Sequence, residues 1–385
     1  MKLKIINKIK YSPIIFKWVN RLGNILFLLI KHLIPVNEKK IIFVSYGGKS
    51  YSDSPRIIFE KMIKEEKFSE YSFIWALNDI TKIQSVENNV EVVKIDTLTY
   101  FFHVLSSKYW VTNVSVERSF KLKKKNQIYC NTWHGTPLKK MGIDIPDTNE
   151  SFQDTHKMEV SHFFAQTEYE KEIFSRVFKI EKEVISVTGL PRNDTLTEKF
   201  SNTKLQEIKK SLNIPLDKKV ILYAPTYREY NIQNGKYDLS KSIEWISKMT
   251  EDFFVLVRAH YEVVSMISEN ISSNNNLIDV GSYDNLNNLI QISDLLISDY
   301  SSLIIDYSIT EKPIILYTYD FEEYESKRGL YFDIRNYLPS FSDSDSLVTY
   351  INLLRFEKFN SKSIKEKLEI VSGDSVDKVI KVIFG

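Results

Sequence analysis

Short apolar runs alternate with stretches of helical spacing along most of this chain. Such alternation is typical of βαβ units, whose strands pair in parallel. Runs rich in Val, Ile, Phe and Tyr, bounded by polar residues or by Gly and Pro, predict the strands. We expect strands at residues 41–45, 71–77, 90–95, 109–113, 127–132, 162–166, 184–188, 219–224, 253–257, 294–298 and 313–317.

Two α/β halves follow from this pattern, and 385 residues suffice for about two domains. A connector at residues 188–194 is punctuated by Gly and Pro, which favours a domain border there. We predict a Rossmann-type domain at residues 39–190, a second one at residues 191–363 and a helical tail at residues 364–385. The two domains are expected to face a central cleft, which is a preferred place for a ligand.

Helix signals are clearest after the first strand. Ser54 is the expected N-cap of a helix at residues 55–63, and Pro55 suits the first helical position. Another helix is expected near residues 203–212.

The first 38 residues combine positive charge with apolar side chains. Residues 1–40 carry nine Lys and Arg residues and one Glu, whereas the whole chain has a net charge of only +2. A spanning helix needs roughly 20 uninterrupted apolar residues, and Lys17 and Arg21 interrupt this run; no cleavage site of a secretory signal follows it. We predict a basic amphipathic segment at residues 1–38 that lies on an anionic membrane surface. The alternative is a helix docked on the protein's own core.

Composition and spacing argue against a nucleic-acid partner, an intrachain disulfide and a histidine metal site. The small net charge disfavours nucleic acid as a partner. Cys130 is the single cysteine, so no intrachain disulfide can form, and its place in an apolar strand predicts a core thiol. No spacing among the histidines resembles a metal site, and a dependence on Mg²⁺ stays open.

The strongest chemical signal is the segment at residues 131–140, NTWHGTPLKK. The preceding strand delivers His134 to its C-terminal end, where Gly135 breaks the regular backbone, and ligands bind at that edge of α/β sheets. With Thr136 beside it and Lys139 one turn on, His134 is a candidate acid or base for a phosphorylated substrate. The alternative is a turn histidine whose ring is satisfied by local backbone.

A second signal is the segment at residues 298–306, SDYSSLIID. Here a buried strand is followed at once by Asp299 and a hydroxyl-rich helix start, where backbone N–H groups attract a phosphate. Ser301 and Ser302 add side-chain donors, and Asp306 lies one turn on, within reach of a ribose hydroxyl. Ordinary helix capping is the alternative.

Two further strands end in cationic residues. Residues 223–228, YAPTYR, place Thr226 and Arg228 after a strand, with the guanidinium aimed at the expected cleft and suited to a diphosphate. A surface ion pair is the alternative for Arg228. Arg258 follows the next strand, and Arg328 is a weaker phosphate candidate.

A second histidine, His260, follows Arg258 in the segment RAHY at residues 258–261. His134 and His260 are therefore expected to project from facing domains. One imidazole would take the proton of an attacking hydroxyl while the other stabilises charge on the transferred group.

Five ordered motifs together resemble the CDP-glycerol glycerophosphotransferase family, the teichoic acid primases and polymerases. They lie at residues 131–140, 189–194 (GLPRND), 223–228, 258–261 and 298–306, and the likeness also includes residues 51–55, YSDSP. It runs from about residue 39 to about residue 333. Five motifs in the family's order are far more specific than any one of them.

This resemblance implies a GT-B-like fold in an enzyme peripheral to the cytoplasmic face of the membrane. It implies transfer of a polyol phosphate from CDP-glycerol, or another CDP-alcohol, to an undecaprenyl-linked acceptor with release of CMP. By motif, His134 is the general base and His260 the second essential histidine. The nucleotide and diphosphate site is carried over to Ser301, Ser302 and Asp306. Further candidate binding residues in the motifs are Gly135, Thr136, Lys139, Arg192, Asn193, Thr226, Arg228, Arg258 and Asp299, and Arg328 is a candidate outside them.

The resemblance leaves the substrates partly open. Ala259, Tyr227 and Leu190 stand where many members carry bulkier Met, Trp and Tyr, which affects the identity of the alcohol. Glycerol and ribitol, a wall polymer and a capsule, and a primase and a polymerase all remain alternatives, as does the oligomeric state. Other classes on the same fold are a sugar-nucleotide glycosyltransferase or epimerase, and a non-catalytic membrane protein that binds nucleotide or polymer.

Overall fold

The structure is a computed structural model of the chain. It describes residues 13–83, 90–118, 120–146, 158–228, 232–233, 236–237, 240–249, 252–259, 276–356 and 362–385. The chain forms two compact units. Unit 1 contains Met1–His134, Glu159–Phe164 and Val379–Gly385, and unit 2 contains Gly135–Met158 and Ala165–Lys378.

The strands are short. They are β1 Asn37–Val44, β2 Ser72–Leu77, β3 Val90–Lys94, β4 Ser107–Thr112, β5 Ile128–Asn131, β6 His162–Ala165, β7 Ile185–Val187, β8 Lys219–Ala224, β9 Ile232–Gln233, β10 Lys236–Tyr237, β11 Phe253–Val257, β12 Leu277–Asp279, β13 Leu295–Ser298, β14 Ile314–Tyr317 and β15 Ser340–Phe341. Eleven lie within a few residues of the predicted ones, whereas β9, β10, β12 and β15 were not predicted.

The helices lie between these strands. They are α1 Pro13–Ile30, α2 Asp53–Met62, α3 Leu98–Ser106, α4 Glu168–Phe178, α5 Asn202–Ser211, α6 Ser240–Ile243, α7 Leu286–Ile292, α8 Leu303–Ser308, α9 Phe321–Lys327, α10 Ser344–Leu353, α11 Lys362–Lys367 and α12 Ser375–Phe384. Short 3-10 turns lie at Tyr46–Gly48, Glu66–Phe68, Ile80–Lys82, Gly142–Asp144, Lys182–Val184, Pro191–Leu196, Glu244–Lys248 and Ile334–Asn336.

The first sheet has the strand order β3-β2-β1-β4-β5-β6-β7. Its pairs from β3 to β6 are parallel; Ile42 of β1, for example, lies opposite Ile74 of β2 and Trp110 of β4. Counted from its first strand, the order 3-2-1-4-5-6 is that of a Rossmann domain.

Both faces of the first sheet are covered, as a parallel sheet requires. Because side chains alternate along a strand, Ile42 and Val44 face a cluster with Tyr100 and Val104 of α3. Phe43 points the other way, onto Phe59 of α2, with ring centroids 5.4 Å apart. This is why the first strand is apolar at consecutive positions.

The second sheet repeats the arrangement with the order β12-β11-β8-β13-β14-β15, and all its pairs are parallel. Val220 and Leu222 of β8 pack against α7 residues such as Leu289. Ile221 packs on the opposite face, against Trp245. The predicted pair of Rossmann-type halves is therefore confirmed, and the predicted central cleft stays a prediction.

One helix prediction needs correction. α2 begins at Asp53 rather than at Pro55, with Ser52 instead of Ser54 as its N-cap, because Asp53 and the residues after it already have helical hydrogen bonding; Asp53 itself has a positive φ of 64°. The expected helical tail consists of two helices, α11 and α12, with Gly373 between them at a φ of 110°.

The motif at residues 189–194 is a structural anchor in unit 2. The Asp194 carboxylate accepts backbone hydrogen bonds from Gly373, Ser375 and Val376 and so caps the start of α12. Gly189 has a φ of 84°, and a Cβ there would lie 2.7 Å from the carbonyl oxygen of Val371 and would clash with Ser375. The motif therefore requires glycine at this position.

Gly189→Ala should lower the free energy of unfolding by about 3 kcal/mol, because overpacking of about 1–3 kcal/mol adds to the strain of a left-handed residue. Gly373→Ala is the matched control, since it has a positive φ but its nearest neighbour atom would be 3.9 Å away. Denaturant unfolding of both variants measures the difference. Equal losses would show that the close approach at Gly189 is unimportant.

Candidate active site

His134 lies in unit 1, three residues beyond the end of β5. Its Nδ1 is 2.8 Å from the backbone oxygen of Asn113, which follows β4. Because a carbonyl oxygen can only accept, this partner assigns the hydrogen to Nδ1, and the neutral ring carries its lone pair on Nε2. The ring packs on Trp133, with centroids 4.1 Å apart. This is the tautomer and the restraint that a general base at Nε2 needs.

Backbone geometry around His134 is unusual. Trp133 has a φ of 52°, and the Asn131 side chain stabilises this conformation by accepting a hydrogen bond from the Trp133 amide at 2.8 Å. The Asn131 side-chain amide also donates to the carbonyl of Val114 at 2.9 Å. The predicted break at this strand end is therefore real, and it begins before Gly135.

The loop after β1 also lies beside Asn113 and His134. Tyr46 donates its backbone N–H to the Asn113 side-chain oxygen at 2.8 Å, and its ring lies 5.8 Å from the His134 ring. Asn113, which is fully buried, thus holds both groups. The sequence analysis missed Asn113; its signal was a polar residue at the end of a predicted strand.

Unit 2 brings three of the predicted binding residues, Arg192, Asn193 and Asp306, into one buried network. Asp306 is buried and binds Arg192 through one oxygen at 2.6 Å and the Asn193 side-chain amide through the other at 2.7 Å. Asn193 also donates to the side-chain oxygen of Gln166 at 2.9 Å. Within the described residues, Asp306 therefore acts as a support for residues 192–193, and the predicted contact to a ribose stays untested.

Glu170 extends this buried network. It accepts the Thr136 hydroxyl through one oxygen and the backbone N–H of Gln166 through the other, the latter at 2.6 Å. Burial, reinforced by the charge of Asp306, raises the pKa of Glu170 to about 7. The sequence analysis missed Glu170, although Thr167 and Glu170 have the spacing of a helix capping box, which is a local signal.

Position 135 requires glycine. It has a φ of 144°, and a Cβ there would be 3.1 Å from the Ser302 hydroxyl and 3.2 Å from the Arg192 guanidinium. The residues of the His134 motif that belong to unit 2 thus approach the start of α8. Ser301 accepts a hydrogen bond from the Leu303 amide at 3.3 Å, which is capping, whereas Ser302 makes no side-chain cap bond.

Arg228 was predicted to aim its guanidinium at a cleft, with a surface ion pair as the alternative, and its side chain is 1% exposed. It binds Asp299 and Asp320, each at 2.7 Å. Burial alone would lower the pKa of Arg228, but the two carboxylates outweigh it and hold that pKa well above its usual value. The ion-pair alternative is therefore right in kind, but the pair is buried rather than at the surface.

The remaining members of this second cluster are supporting groups. Asp299 accepts the backbone N–H of Thr226 at 2.9 Å, which joins the ends of β8 and β13. The Arg228 guanidinium lies 5.0 Å from the ring centroids of both Tyr300 and Tyr324. The aromatic pair shields the ions from water and supplies a favourable cation–π contact.

The other predicted cations lie on three segments. Lys139 is paired with Leu330 by backbone bridging, and Arg328 ends α9 close to that bridge. Arg258 follows β11 and donates to the carbonyl oxygens of Val280 and Tyr283 at 3.0 and 2.9 Å. These three side chains are half-buried.

His260 lies outside the described residues, so the predicted opposition of two histidines stays a prediction. Within the described ranges no group of three or more His, Cys, Asp or Glu side chains is arranged to hold a metal ion. Cys130 is fully buried, and burial raises the pKa of its thiol.

Glu170→Gln should change how stability depends on pH. A carboxyl whose pKa is raised from 4.5 to about 7 binds its proton more tightly in the folded state. The wild type should therefore lose about 3 kcal/mol of unfolding free energy, relative to Glu170→Gln, as pH rises from about 4.5 to 7. Denaturant unfolding across this range measures the difference.

Glu172→Gln is the control for that series, because Glu172 lies on the same helix with an exposed side chain. Its unfolding free energy should run parallel to that of the wild type. A Glu170→Gln curve that also runs parallel would contradict the raised pKa.

Comparison with known proteins identifies the family. The family model described as CDP-Glycerol:Poly(glycerophosphate) glycerophosphotransferase matches residues 26–384. A teichoic acid poly(glycerol phosphate) polymerase of Bacillus spizizenii is 32% identical over 414 residues, and the match covers 100% of both chains. A teichoic acid glycerol-phosphate transferase of Staphylococcus aureus is 35% identical, with 79% of this chain and 80% of that protein covered. The chain spans only 44% and 46% of two longer polymerases, from Staphylococcus epidermidis and Bacillus subtilis.

Solved structures agree. The wall teichoic acid polymerase TagF superposes with a TM-score of 0.78 at 29% identity, covering 96% of this chain and 97% of that one. A UDP-GlcNAc 2-epimerase of Methanocaldococcus jannaschii has a TM-score of 0.54 at 15% identity, which shows the shared fold alone and confirms the predicted GT-B-like class. The chain therefore belongs to the CDP-glycerol:poly(glycerophosphate) glycerophosphotransferase family.

Proposed function

We propose that this protein transfers glycerol phosphate from CDP-glycerol to a hydroxyl group of a lipid-linked teichoic acid acceptor and releases CMP. The observation that carries the proposal is the His134 ring, whose Nδ1 is bound by the Asn113 carbonyl and whose Nε2 carries the lone pair. Family membership and the names of the relatives support the donor: they are glycerol-phosphate polymerases and transferases, and one TagF structure was soaked with CDPG.

The reaction is a displacement at phosphorus. The acceptor hydroxyl oxygen forms a bond to the β-phosphorus of the donor, and the bond from that phosphorus to the bridging oxygen breaks. CMP leaves with the electron pair, and His134 takes the hydroxyl proton at Nε2. Phosphoryl transfer asks little covalent chemistry of a protein, so positioning and electrostatic stabilisation supply most of the catalysis.

The described residues divide into two roles in this proposal. Ser301, Ser302, Arg258 and Lys139 lie at strand or helix ends and are proposed to bind the diphosphate, together with His260 by resemblance. Arg192, Asn193, Asp306, Arg228 and Asp299 are proposed to hold the loops that carry those donors. Their carboxylates and guanidiniums already pair with each other, and breaking such a buried pair leaves a charge uncompensated.

The proposed location is the cytoplasmic face of the membrane, with α1 as a peripheral anchor. No helix among the described residues has the length and apolar character to cross a bilayer. One face of α1 docks on unit 1, where Phe27 packs against Phe101 and Phe120. The opposite face leaves large apolar side chains at least half exposed: Trp18, Leu22, Ile25, Leu26, Leu28 and Leu29.

Charge around α1 supports an anionic surface as its partner. The Lys121 backbone donates to the Asn24 side chain at 2.7 Å, so the basic loop at residues 121–125, KLKKK, lies beside the helix. Apolar side chains bordered by lysines are typical of helices that lie in the headgroup region. Docking and membrane contact, which the sequence leaves as alternatives, are thus proposed for two faces of one helix.

His134→Ala should lower the rate of CMP release by at least about 100-fold, because a general base contributes 10²–10⁴-fold. The assay supplies CDP-glycerol and, separately, CDP-ribitol with a lipid-linked acceptor, and circular dichroism verifies the fold. His162→Ala is the control, since His162 is a histidine of β6 without a proposed role. Full turnover by a folded His134→Ala protein would remove His134 from the mechanism, and turnover of UDP-sugars alone would replace the proposed reaction.

Leu22→Ser, Leu26→Ser and Leu29→Ser together should weaken binding to liposomes that contain anionic lipid by more than about tenfold. Burying a leucine side chain contributes about 1.5–3 kcal/mol, and these three are exposed in the isolated protein. Flotation of the protein with liposomes measures binding. The control replaces Leu216 and Leu353, exposed leucines of unit 2, by Ser. Unchanged binding of the triple variant would contradict the anchor.

A further inference from the structure

Of the polar groups that follow β1 and β4, the mechanism above uses only the Asn113 carbonyl, which binds His134. Tyr46 follows β1, Asn113 follows β4 and Asp53 begins α2. In the first sheet the strand order reverses between β1 and β4. Ligands of α/β proteins bind outside the carboxyl ends of the strands at such a reversal.

A phenol and a carboxylate lie together beside the proposed base. The Tyr46 hydroxyl donates to Oδ2 of Asp53 at 2.6 Å, and the Tyr46 ring centroid lies 5.8 Å from that of His134. Both Tyr46 and Asp53 are half-buried, so they retain surface that a ligand can contact. The Tyr46 ring thus lies beside the proposed base, and its hydroxyl connects it to the Asp53 carboxylate.

Asn113 holds both His134 and Tyr46 in place. Its backbone oxygen binds His134, and its side-chain oxygen binds the Tyr46 amide. Asn113 is 0% exposed, yet its side-chain Nδ2 has no hydrogen-bond partner among the described residues. Buried donors normally have a partner, so a polar group that the described chain does not supply belongs at this point.

The backbone here is held in costly conformations. Tyr46 and Asp53 are non-glycine residues with φ values of 47° and 64°, and Gly47 and Gly48 between them also have positive φ. Left-handed non-glycine residues persist only where the surrounding structure fixes them, and they cluster at ligand sites. The strain therefore agrees with the orphan amide in pointing to a binding function.

We propose that Tyr46 and Asp53 bind the acceptor hydroxyl that neighbours the attacking one. A glycerol unit held in the polymer by one phosphodiester keeps two hydroxyls, of which one loses its proton to His134. The other is left to be recognised, and a carboxylate accepts a hydroxyl hydrogen bond more strongly than a neutral group does. The ligand class is a vicinal diol, and Asn113 is a positioning residue. This inference rests on the proposed function, because it assumes that His134 acts on the acceptor.

Two acceptors test it together with Asp53→Asn. One lipid-linked acceptor ends in glycerol phosphate, and the other ends in the phosphate of propane-1,3-diol, which lacks the middle hydroxyl. The wild type should lose about 10- to 100-fold in kcat/KM with the second acceptor, the range expected for a hydrogen bond to a charged group. With the first acceptor, Asp53→Asn should lose a similar factor in kcat/KM relative to the wild type. With the second acceptor, the kcat/KM of Asp53→Asn should be at most about twofold below that of the wild type.

Two controls separate recognition from structure. The KM for CDP-glycerol should stay within about twofold in Asp53→Asn, because the proposed contact involves the acceptor only. Glu60→Gln removes another carboxylate of α2, one that pairs with Arg56, and should leave the ratio of the two acceptors as in the wild type. If Asp53→Asn fails to fold, Tyr46→Phe keeps the ring and should reduce the ratio between the acceptors at least threefold.

Each remaining outcome overturns a stated claim. Equal turnover of the two acceptors by the wild type would overturn the diol site while leaving the transferase intact. The same holds if Asp53→Asn loses as much kcat/KM with the second acceptor as with the first, because the variant and the missing hydroxyl would then act independently. Failure of the wild type to release CMP from CDP-glycerol with the first acceptor would overturn the proposed function itself.

Discussion

Parallel pairing of strands in the order 3-2-1-4-5-6 is the constraint on which both halves of this protein depend. Parallel strands end at the same edge of a sheet, so residues far apart in sequence meet there. In unit 1 this brings Tyr46, Asn113 and His134 together after β1, β4 and β5. In unit 2 it joins Thr226 and Asp299 after β8 and β13. Both faces of each sheet must then be covered, which explains the apolar character of consecutive strand residues.

Buried ion pairs are the second organising feature. They fix the positions of loops more than they add to the stability of the fold. Asp306 with Arg192, and Arg228 with two carboxylates, are almost fully removed from water. Desolvation offsets most of the attraction in such pairs, whereas loss of one partner costs about 3–5 kcal/mol. The pairs therefore hold loops in one arrangement. The same loops carry Ser301 and Ser302, which are proposed to bind the diphosphate of CDP-glycerol. The positions of these two hydroxyl groups therefore depend on buried ion pairs.

Much of the site was predictable because its signals are local. The strand that delivers His134 is apolar, the break after it contains Gly and Pro, and the motif at residues 298–306 runs from a strand into a helix. Each of these follows from a short window of sequence. The burial of Arg228 in an ion pair was not predictable in this way, because its partner Asp320 lies 92 residues away and no window contains both. Glu170 and Asn113 had local signals, but their contacts with Thr136, His134 and Tyr46 join residues 21 to 67 positions apart, so no short window shows what these residues bind.

The sequence by itself determined the two α/β halves, the basic amphipathic start and the family, because periodicity and ordered motifs are properties of the chain. Only tertiary structure decided which polar residues touch. The tertiary structure places Asn113 in contact with His134, Asp306 with Arg192, and Glu170 with Thr136. It also divided α1 into a docked face and an exposed one. The physical reason is that hydrogen bonds and ion pairs act over a few ångströms, and the distances between distant residues are set by strand order rather than by spacing along the chain.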